Sequence, residues 1–313
     1  MDCIALDGQL YGWEDTDMRI LCNLGHGTHG AVEKVHHRPS NAVMALKRIP
    51  LTVNKTEQKK LVIDLDTAMK SGKCSHIVQY YGAVIGEGVV WLCMEVMDTS
   101  LAHLCDIVYK ETKSSIPENV LGKIAISVVK GLHYLNSTMK IPHRDVKPSN
   151  ILVNRKGEVK ICDFGVSGHL VDSVQKTRES GCKPYMAPER INPESDVLNN
   201  EYSICSDIWS FGITMVELAT GTFPYEKWVS PIQQLQQVVD GDPPRLPPDK
   251  FSKDIEDFVA KMLTKKVEQR ATCVDLLEHP FVKKYEEEDV DMAGYFSTVM
   301  EKQCDLNENV QGH

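Results

Sequence analysis

The chain carries ten cysteines but no C-x-x-C pair anywhere along its 313 residues. That absence argues against zinc sites and thioredoxin-type redox chemistry. It reads instead as reduced thiols in a cytosolic compartment. Long apolar runs are also missing: none approaches the roughly 18 residues of a membrane span. The acidic, glycine-interrupted start MDCIALDGQLYGWEDTDMRI lacks the basic and apolar regions of a secretory signal. Asp2 stands where myristoylation needs glycine, and the terminal QGH is no prenylation site. A basic surplus is lacking too. The formal net charge is −9, the opposite of what displaces counterions from nucleic-acid phosphates. The expected location is therefore the cytoplasm, with the nucleus as a further option, and neither nucleic acid nor membrane is expected as a partner.

What is present falls into two styles. Residues 18 to about 97 hold short runs rich in Val, Ile and aromatics: RILCNLG, AVEKVHH, AVMALKRI, IVQYYGAVI and VVWLCMEVM. Gly, Pro and polar residues bound them, as expected of strands. One helical stretch is expected near 55–70. After about residue 100 the pattern turns helical. Segment 116–138 places apolar residues at helical spacing behind Pro117. Segment 205–221 is an apolar helix ending at Gly221. Segments 231–240 and 252–264 also read as helices. A small β-rich half followed by a larger helical half is expected, meeting near Met97–Thr99. The run EEED at 286–289 reads as a solvated boundary. The last dozen residues, KQCDLNENVQGH, read as frayed or disordered.

Gly25-His26-Gly27-Thr28-His29-Gly30-Ala31-Val32 has the form G-x-G-x-x-G-x-V. Glycines let backbone approach a phosphate closely because no Cβ intervenes. A dinucleotide-binding turn would continue into a helix, whereas the β-like AVEKVHH follows here. That favours a strand–turn–strand flap over phosphates. Ala45-Leu46-Lys47 lies in the next strand. A strand lysine can be an edge gatekeeper or a snorkelling side chain, but at this spacing Lys47 can reach the α- and β-phosphates of a nucleotide.

His143-Arg144-Asp145-Val146-Lys147-Pro148-Ser149-Asn150 matches H-R-D-x-x-x-x-N. Phosphoryl transfer needs alignment and charge neutralisation more than covalent help. Asp145 can accept the hydrogen bond, and then the proton, of an attacking hydroxyl. Lys147 can offset charge on the transferring group, and Asn150 offers a neutral oxygen to Mg²⁺. Asp163-Phe164-Gly165 supplies Asp163 as the second metal ligand. Glycine loop, strand lysine, H-R-D-x-x-x-x-N, D-F-G and Ala187-Pro188-Glu189 occur together and in the order of one known motif set.

Across residues 18 to about 282 the chain therefore resembles a eukaryotic protein kinase. The resemblance implies an α+β, bilobal fold with a small β-rich N-lobe (18–97) and a larger helical C-lobe (98–282). Residues 1–17 would form a short N-terminal extension, and 283–313 a C-terminal extension and tail. Val146–Asn150, Cys162–Gly168 and Gly181–Ile191 look like the MAP kinase kinase family. Met94–Leu101 (MEVMDTSL) and Leu170–Val174 (LVDSV) resemble its stress-activated branch, whose targets are p38-type kinases. The resemblance implies a dual-specificity enzyme that uses ATP and Mg²⁺ on the Thr and Tyr of a T-x-Y motif in a downstream MAP kinase. Leu24, Gly25, His26, Gly27, Thr28, His29, Gly30, Ala31, Val32, Ala45 and Lys47 would line the nucleotide site. Met94 would be the gatekeeper, with Glu95 and Met97 offering backbone hydrogen bonds to adenine. Ser173 and Thr177 match the activating phosphorylation pair, which implies an upstream kinase. Glu189 would pair with Arg270, and Asp207 would hold the catalytic loop. A Ser/Thr-only kinase and a non-catalytic scaffold are the competing readings. The G-C-K-P-Y segment argues against the first, and intact Lys47, Asp145 and Asp163 argue against the second.

The sequence departs from the family pattern at several points. The helix that should supply a glutamate to Lys47 reads KKLVIDLDTAMKSG, so Asp64 or Asp66 must serve, with Asp64 favoured. His29 occupies the flap tip, where Phe or Tyr is usual. Pro142 precedes His143, which stiffens the entry to the loop. Cys162 reads as an inert buried thiol beside Asp163. No basic-plus-apolar docking peptide is seen ahead of the kinase region, while 252–284 resembles the family's region for docking upstream kinases.

Overall fold

The computed structural model describes residues 3–6, 8–27, 30–51, 55–86, 88–164, 184–191 and 200–311. The chain divides into two units. One comprises Met1–Met97 with Phe164–Lys176, and the other comprises Asp98–Asp163 with Thr177–His313.

In the smaller unit, the apolar runs become a five-stranded antiparallel sheet. Its strands are β3 (Met18–Gly27), β4 (Gly30–His37), β5 (Ala42–Pro50), β6 (Tyr80–Gly86) and β7 (Val89–Met94), in the order β3-β4-β5-β7-β6. Two turn ends close on positive-φ residues, Asn41 at 56° and Gly88 at 77°. Helix α1 (Lys55–Lys70) buries Leu61, Leu65 and Ala68, which recur at helical spacing.

Alternation along each strand separates two faces. One carries Val35, Met44, Leu46 and Cys93, all buried. Ahead of the sheet, β1 (Cys3–Leu6) and β2 (Gln9–Gly12) pair as a hairpin. Its Ile4 and Leu6 join those four side chains in one core cluster, flanked by Tyr11, Trp13 and Trp91. A Cβ on Gly82 would lie 2.8 Å from the Cys3 carbonyl oxygen, so the hairpin sits directly on β6. Burying Ile4 and Leu6 stabilises this face by about 2 kcal/mol per side chain. The first residues thus pack into the sheet's core.

The larger unit is mainly helical. Its helices are α2 (Leu101–Cys105, continued by a wider π-type turn over Asp106–Glu111), α3 (Glu118–Tyr134), α4 (Pro188–Ile191), α5 (Asn200–Thr220), α6 (Pro231–Leu235), α7 (Lys253–Met262), α8 (Cys273–Leu277), α9 (Pro280–Glu287) and α10 (Met292–Gln311). Helix α3 starts directly after Pro117 and buries Val120, Leu121, Ile124, Val128 and Leu132. Helix α5 is buried on most of its circumference, with Trp209, Phe211, Ile213, Met215 and Leu218 fully enclosed. It ends at Gly221, where φ is 74° and a Cβ would strike the Tyr109 ring at 2.3 Å. A three-stranded sheet of β8 (Thr99–Ser100), β9 (Ile151–Val153) and β10 (Val159–Ile161) lies in the same unit.

The C-terminal segment differs from expectation. Residues 302–311 continue helix α10. Met292, Phe296, Val299 and Met300 are buried at helical spacing and anchor the first turns, from which the helix propagates. In the expected charge run, Glu286 pairs with Lys130 at the surface.

Candidate active site

In the smaller unit, strand register places the nucleotide-side candidates. Val32 lies opposite Lys47, and Lys47 opposite Leu92. Ala45 lies opposite Met94. Directly opposed residues of antiparallel strands share a face. Val32, Ala45, Lys47, Leu92 and Met94 therefore occupy the sheet face away from the N-terminal hairpin. Ala45, Lys47 and Met94 are all buried. Gly25 has φ of 148° and Gly30 φ of 137°. A Cβ on Gly30 would fall 1.8 Å from the Arg48 carbonyl oxygen, so close strand approach demands glycine there. Leu24 is exposed. The Glu95 amide donates to the Gln79 carbonyl at 2.9 Å, and the Glu95 carboxylate accepts from the Gln79 amide at 2.7 Å. The Glu95 backbone group suited to a base is thus its carbonyl. Asp66 faces solvent and pairs with Lys70 on its own helix, so it is not placed for Lys47. The Asp64 side chain lies outside the described residues.

In the larger unit, hydrogen bonds do what register does in the smaller one. The Asp145 carboxylate accepts from Asn150 Nδ2 at 2.9 Å and pairs with Lys147 Nζ at 2.8 Å. Asn150 Nδ2 also donates to the Asp145 carbonyl at 2.8 Å. With its amide nitrogen turned to Asp145, Asn150 presents Oδ1 as the oxygen able to meet a cation. Asp163 is set by the β9–β10 ladder. Ile161 pairs with Ile151, and the next amide along, Cys162 N–H, donates to the Asn150 carbonyl at 3.0 Å. Asn150 and Asp163 therefore emerge at the same end of one hairpin. A carboxamide oxygen and a carboxylate are hard donors suited to Mg²⁺. Arg144 and Asp163 both take left-handed backbone, at φ of 70° and 62°, a conformation that costs non-glycine residues about 1–3 kcal/mol each.

A buried carboxylate offsets part of that cost. Asp207 on α5 accepts from the backbone amides of His143, at 2.6 Å, and Arg144, at 2.7 Å. Burial pushes the Asp207 carboxyl up, while His143 and these two amides pull the other way. Nearby, Glu189 and Arg270 form a bidentate ion pair at 2.7 and 2.9 Å, with the Arg270 side chain fully buried. Arg270 also donates to the Thr264 and Cys205 carbonyls, and Ser206 Oγ donates to Glu189. Cys162 is buried, its thiol 3.5 Å from the Asn150 carbonyl. Burial likewise pushes the Cys93, Cys105 and Cys273 thiols up to about 12.

Sequence alone places Tyr185 in the G-C-K-P-Y segment but gives no sign of its side-chain partner: its hydroxyl donates to Glu217 on α5 at 2.7 Å. The available signal was a set of polar residues, Ser206, Asp207, Ser210 and Glu217, in the mostly apolar run of that helix. Thr28, His29, Gly165, Ser173, Thr177 and the Gly181–Lys183 stretch lie outside the described residues, as does the His26 side chain. Among the described residues no helix is long and apolar enough to cross a membrane.

Comparison with known proteins fits this geometry. The family model for the protein kinase domain matches residues 18–282. The chain is 46% identical over 288 residues to the dual specificity mitogen-activated protein kinase kinase sek-1 of Caenorhabditis elegans, covering 91% of this chain and 84% of that protein. It is 44% identical over 300 residues to human dual specificity mitogen-activated protein kinase kinase 7, covering 96% of this chain and 70% of that protein. A glycine flap, a buried strand lysine and an aspartate–lysine–asparagine loop thus accompany close likeness to enzymes of one kind, and the chain belongs to the dual-specificity MAP kinase kinases of the protein kinase family.

Proposed function

We propose that this kinase phosphorylates both Thr and Tyr of a T-x-Y motif in the activation loop of a stress-activated, p38-type MAP kinase. It acts in the cytoplasm, and in the nucleus where its substrate is found, and is itself switched on when an upstream kinase phosphorylates Ser173 and Thr177. The observation that carries the chemistry is the loop in which Asp145 is held by Asn150 and Lys147. The branch is supported by MEVMDTSL at 94–101 and LVDSV at 170–174.

Asp145 accepts the acceptor hydroxyl's hydrogen bond and takes its proton as the new O–P bond to the γ-phosphorus forms and the bond from that phosphorus to the β–γ bridging oxygen breaks, releasing ADP. Lys147 offsets the charge that accumulates on the transferring group. Lys47 holds the α- and β-phosphates. Asn150 Oδ1 and the Asp163 carboxylate would hold Mg²⁺, which would supply charge neutralisation for the phosphates. The glycine flap, with Leu24, Ala31 and Val32, covers the nucleotide, and Met94, Glu95 and Met97 border its base.

The test uses the chain with Ser173→Asp and Thr177→Glu against a panel of MAP kinase classes, with both acceptor residues read by mass spectrometry. Highest kcat/KM on a p38-type kinase, with Thr and Tyr both modified, is the expected result. Modification of Thr alone would remove dual specificity, and preference for another class would move the branch. Asp163→Asn should lower transfer by about 10³-fold or more with an unchanged melting curve. Activity surviving that change would overturn the metal assignment.

A further inference from the structure

A row of side chains crosses the hairpin-side face of the sheet in the smaller unit. Alternation puts Glu33, Arg48 and Trp91 on the face that carries Val35, Leu46 and Cys93. Trp91 lies directly opposite Arg48 on the neighbouring strand. The Arg48 guanidinium stands over the Trp91 ring, 4.5 Å from its centroid. Its Nη2 meets Glu33 Oε2 at 2.8 Å. Trp13 extends the row, with its ring centroid 6.0 Å from that of Trp91. Trp13 is also the first residue after β2, where the N-terminal hairpin ends.

The other end of the row lies at the glycine flap. Glu33 directly follows Val32 and stands opposite Asn23 on β3. Asn23 Oδ1 accepts the Gly25 amide at 2.7 Å. Gly30 closes onto the Arg48 backbone, where a Cβ would collide with the Arg48 carbonyl oxygen. Arg48 therefore meets the returning strand of the flap twice, by its carbonyl at Gly30 and by its guanidinium at Glu33.

This differs from an ordinary exposed ion pair, which contributes little. The Glu33 side chain is only 17% exposed, so its charge depends on a partner. Arg48 Nε is buried and makes no hydrogen bond among the described residues, so the pair is not a bidentate fork. The aromatic stack, more than hydrogen bonding, sets where the guanidinium stands. A guanidinium placed by stacking follows its rings when they shift.

We propose that Arg48 is a positioning residue for the glycine flap, set by Trp91 and Trp13, so that the segment joining the N-terminal hairpin to the sheet tunes how tightly the flap holds ATP. The row lies on the sheet face away from Lys47 and acts at the base of the flap. Because its effect is read through ATP, the role rests on the flap's function as nucleotide cover proposed above.

The test uses the full chain with Ser173→Asp and Thr177→Glu, and adds Arg48→Met, Trp13→Ala, Trp13→Phe, the double variant Trp13→Ala/Arg48→Met and, as a control, Ile4→Ala. KM for ATP and KM for a MAP kinase protein are measured separately, with amide exchange over residues 30–33. Arg48→Met and Trp13→Ala should each raise KM for ATP about three- to tenfold and speed that exchange. KM for the protein should stay within about twofold. The double variant should be no worse than the worse single one, since both break the same row. Trp13→Phe keeps a ring against Trp91 and should recover most of the loss. Ile4→Ala takes buried area from the hairpin but spares the row, so KM for ATP should change less than twofold. Unchanged KM for ATP in Arg48→Met, equal rises in both KM values, or an Ile4→Ala effect matching Trp13→Ala would overturn the proposal. Should Trp13→Ala not fold, Arg48→Met and Trp13→Phe still decide it. In the parent protein, ATP should slow exchange over residues 30–33. Absence of that protection would defeat the flap's function as nucleotide cover, whereas protection with unchanged KM values in the variants would defeat the positioning role alone.

Discussion

The two units solve the same problem by different physics. The smaller one must present Lys47 on a chosen face, and strand register selects that face. Register pairs Val32, Lys47 and Leu92 across three strands, and the N-terminal hairpin fills the reverse face with Ile4 and Leu6. The larger unit must present Asp145 and Asn150 from a loop, which has no ladder of its own. It borrows order from buried carboxylates: Asp207 grips the loop amides, and Glu189 is locked to Arg270. A strand lysine inherits its position from many weak, redundant contacts. A loop aspartate depends on a few strong ones that cannot be removed singly without leaving a charge or an amide stranded in the interior.

The sharpest way to break that contrast is at Arg270. Arg270→Met removes the bidentate partner of the buried Glu189 carboxylate, and breaking a buried ion pair from one side costs about 3–5 kcal/mol. The urea midpoint of the variant should fall accordingly. The double variant Glu189→Leu/Arg270→Met removes both charges and should recover a large part of the loss. A single-variant cost under about 1 kcal/mol would show that the larger unit does not rely on buried charge.

Next in size is Ile4→Ala in the smaller unit. Ile4 is fully buried, and truncation there should cost about 2–4 kcal/mol. Because Ile4 lies on the face away from Lys47, KM for ATP at a temperature below the transition should change less than twofold. Faster amide exchange confined to Cys3–Gly12 would accompany the loss. A large rise in KM for ATP would mean that the two sheet faces are coupled and that register alone does not fix Lys47.

The same contrast explains what was legible in the sequence. The β runs between residues 18 and 97 were readable because alternation is written locally, and the observed strands fall within a few residues of each run. VVWLCMEVM overran, since Glu95 turns its amide to Gln79 and leaves the ladder. The N-terminal hairpin was not read. Its burial comes from Gly82 and Cys93, about eighty residues away, and four-residue strands carry little period of their own. The catalytic loop was legible as a motif, and the buried pair Glu189–Arg270 was expected only through family resemblance. Nothing local announces that two charges 81 positions apart meet. The bond between Tyr185 and Glu217 is illegible for the same reason, although Tyr185 itself stands out in G-C-K-P-Y. The last turns of α10 were misread because polar composition outweighed the four apolar anchors that start the helix.

The smallest expected effect separates the units by pH. Glu118, at the start of α3, accepts from the Ser252 amide at 2.9 Å, the Ser252 hydroxyl at 2.6 Å and the Tyr285 hydroxyl at 2.9 Å. Burial alone would raise its carboxyl, but these bonds outweigh burial and hold it below the usual range. A carboxyl lowered on folding stabilises the protein above its unfolded pKa, and that stability is lost as pH falls through the lowered folded value. Glu118→Gln should therefore flatten the stability profile below about pH 4.5. In the smaller unit, burial lowers the pKa of His37, against the pull of Asp17. The unfolded chain then binds more protons just below the ordinary histidine pKa, so stability should fall as pH drops from about 6.5. His37→Gln should flatten that upper window and leave the lower one intact. Urea midpoints measured from pH 7.5 to 3.5 resolve both. Two variants that flatten the same window would merge the acid responses of sheet and helices into one, and the division of labour between register and buried charge would lose its thermodynamic signature.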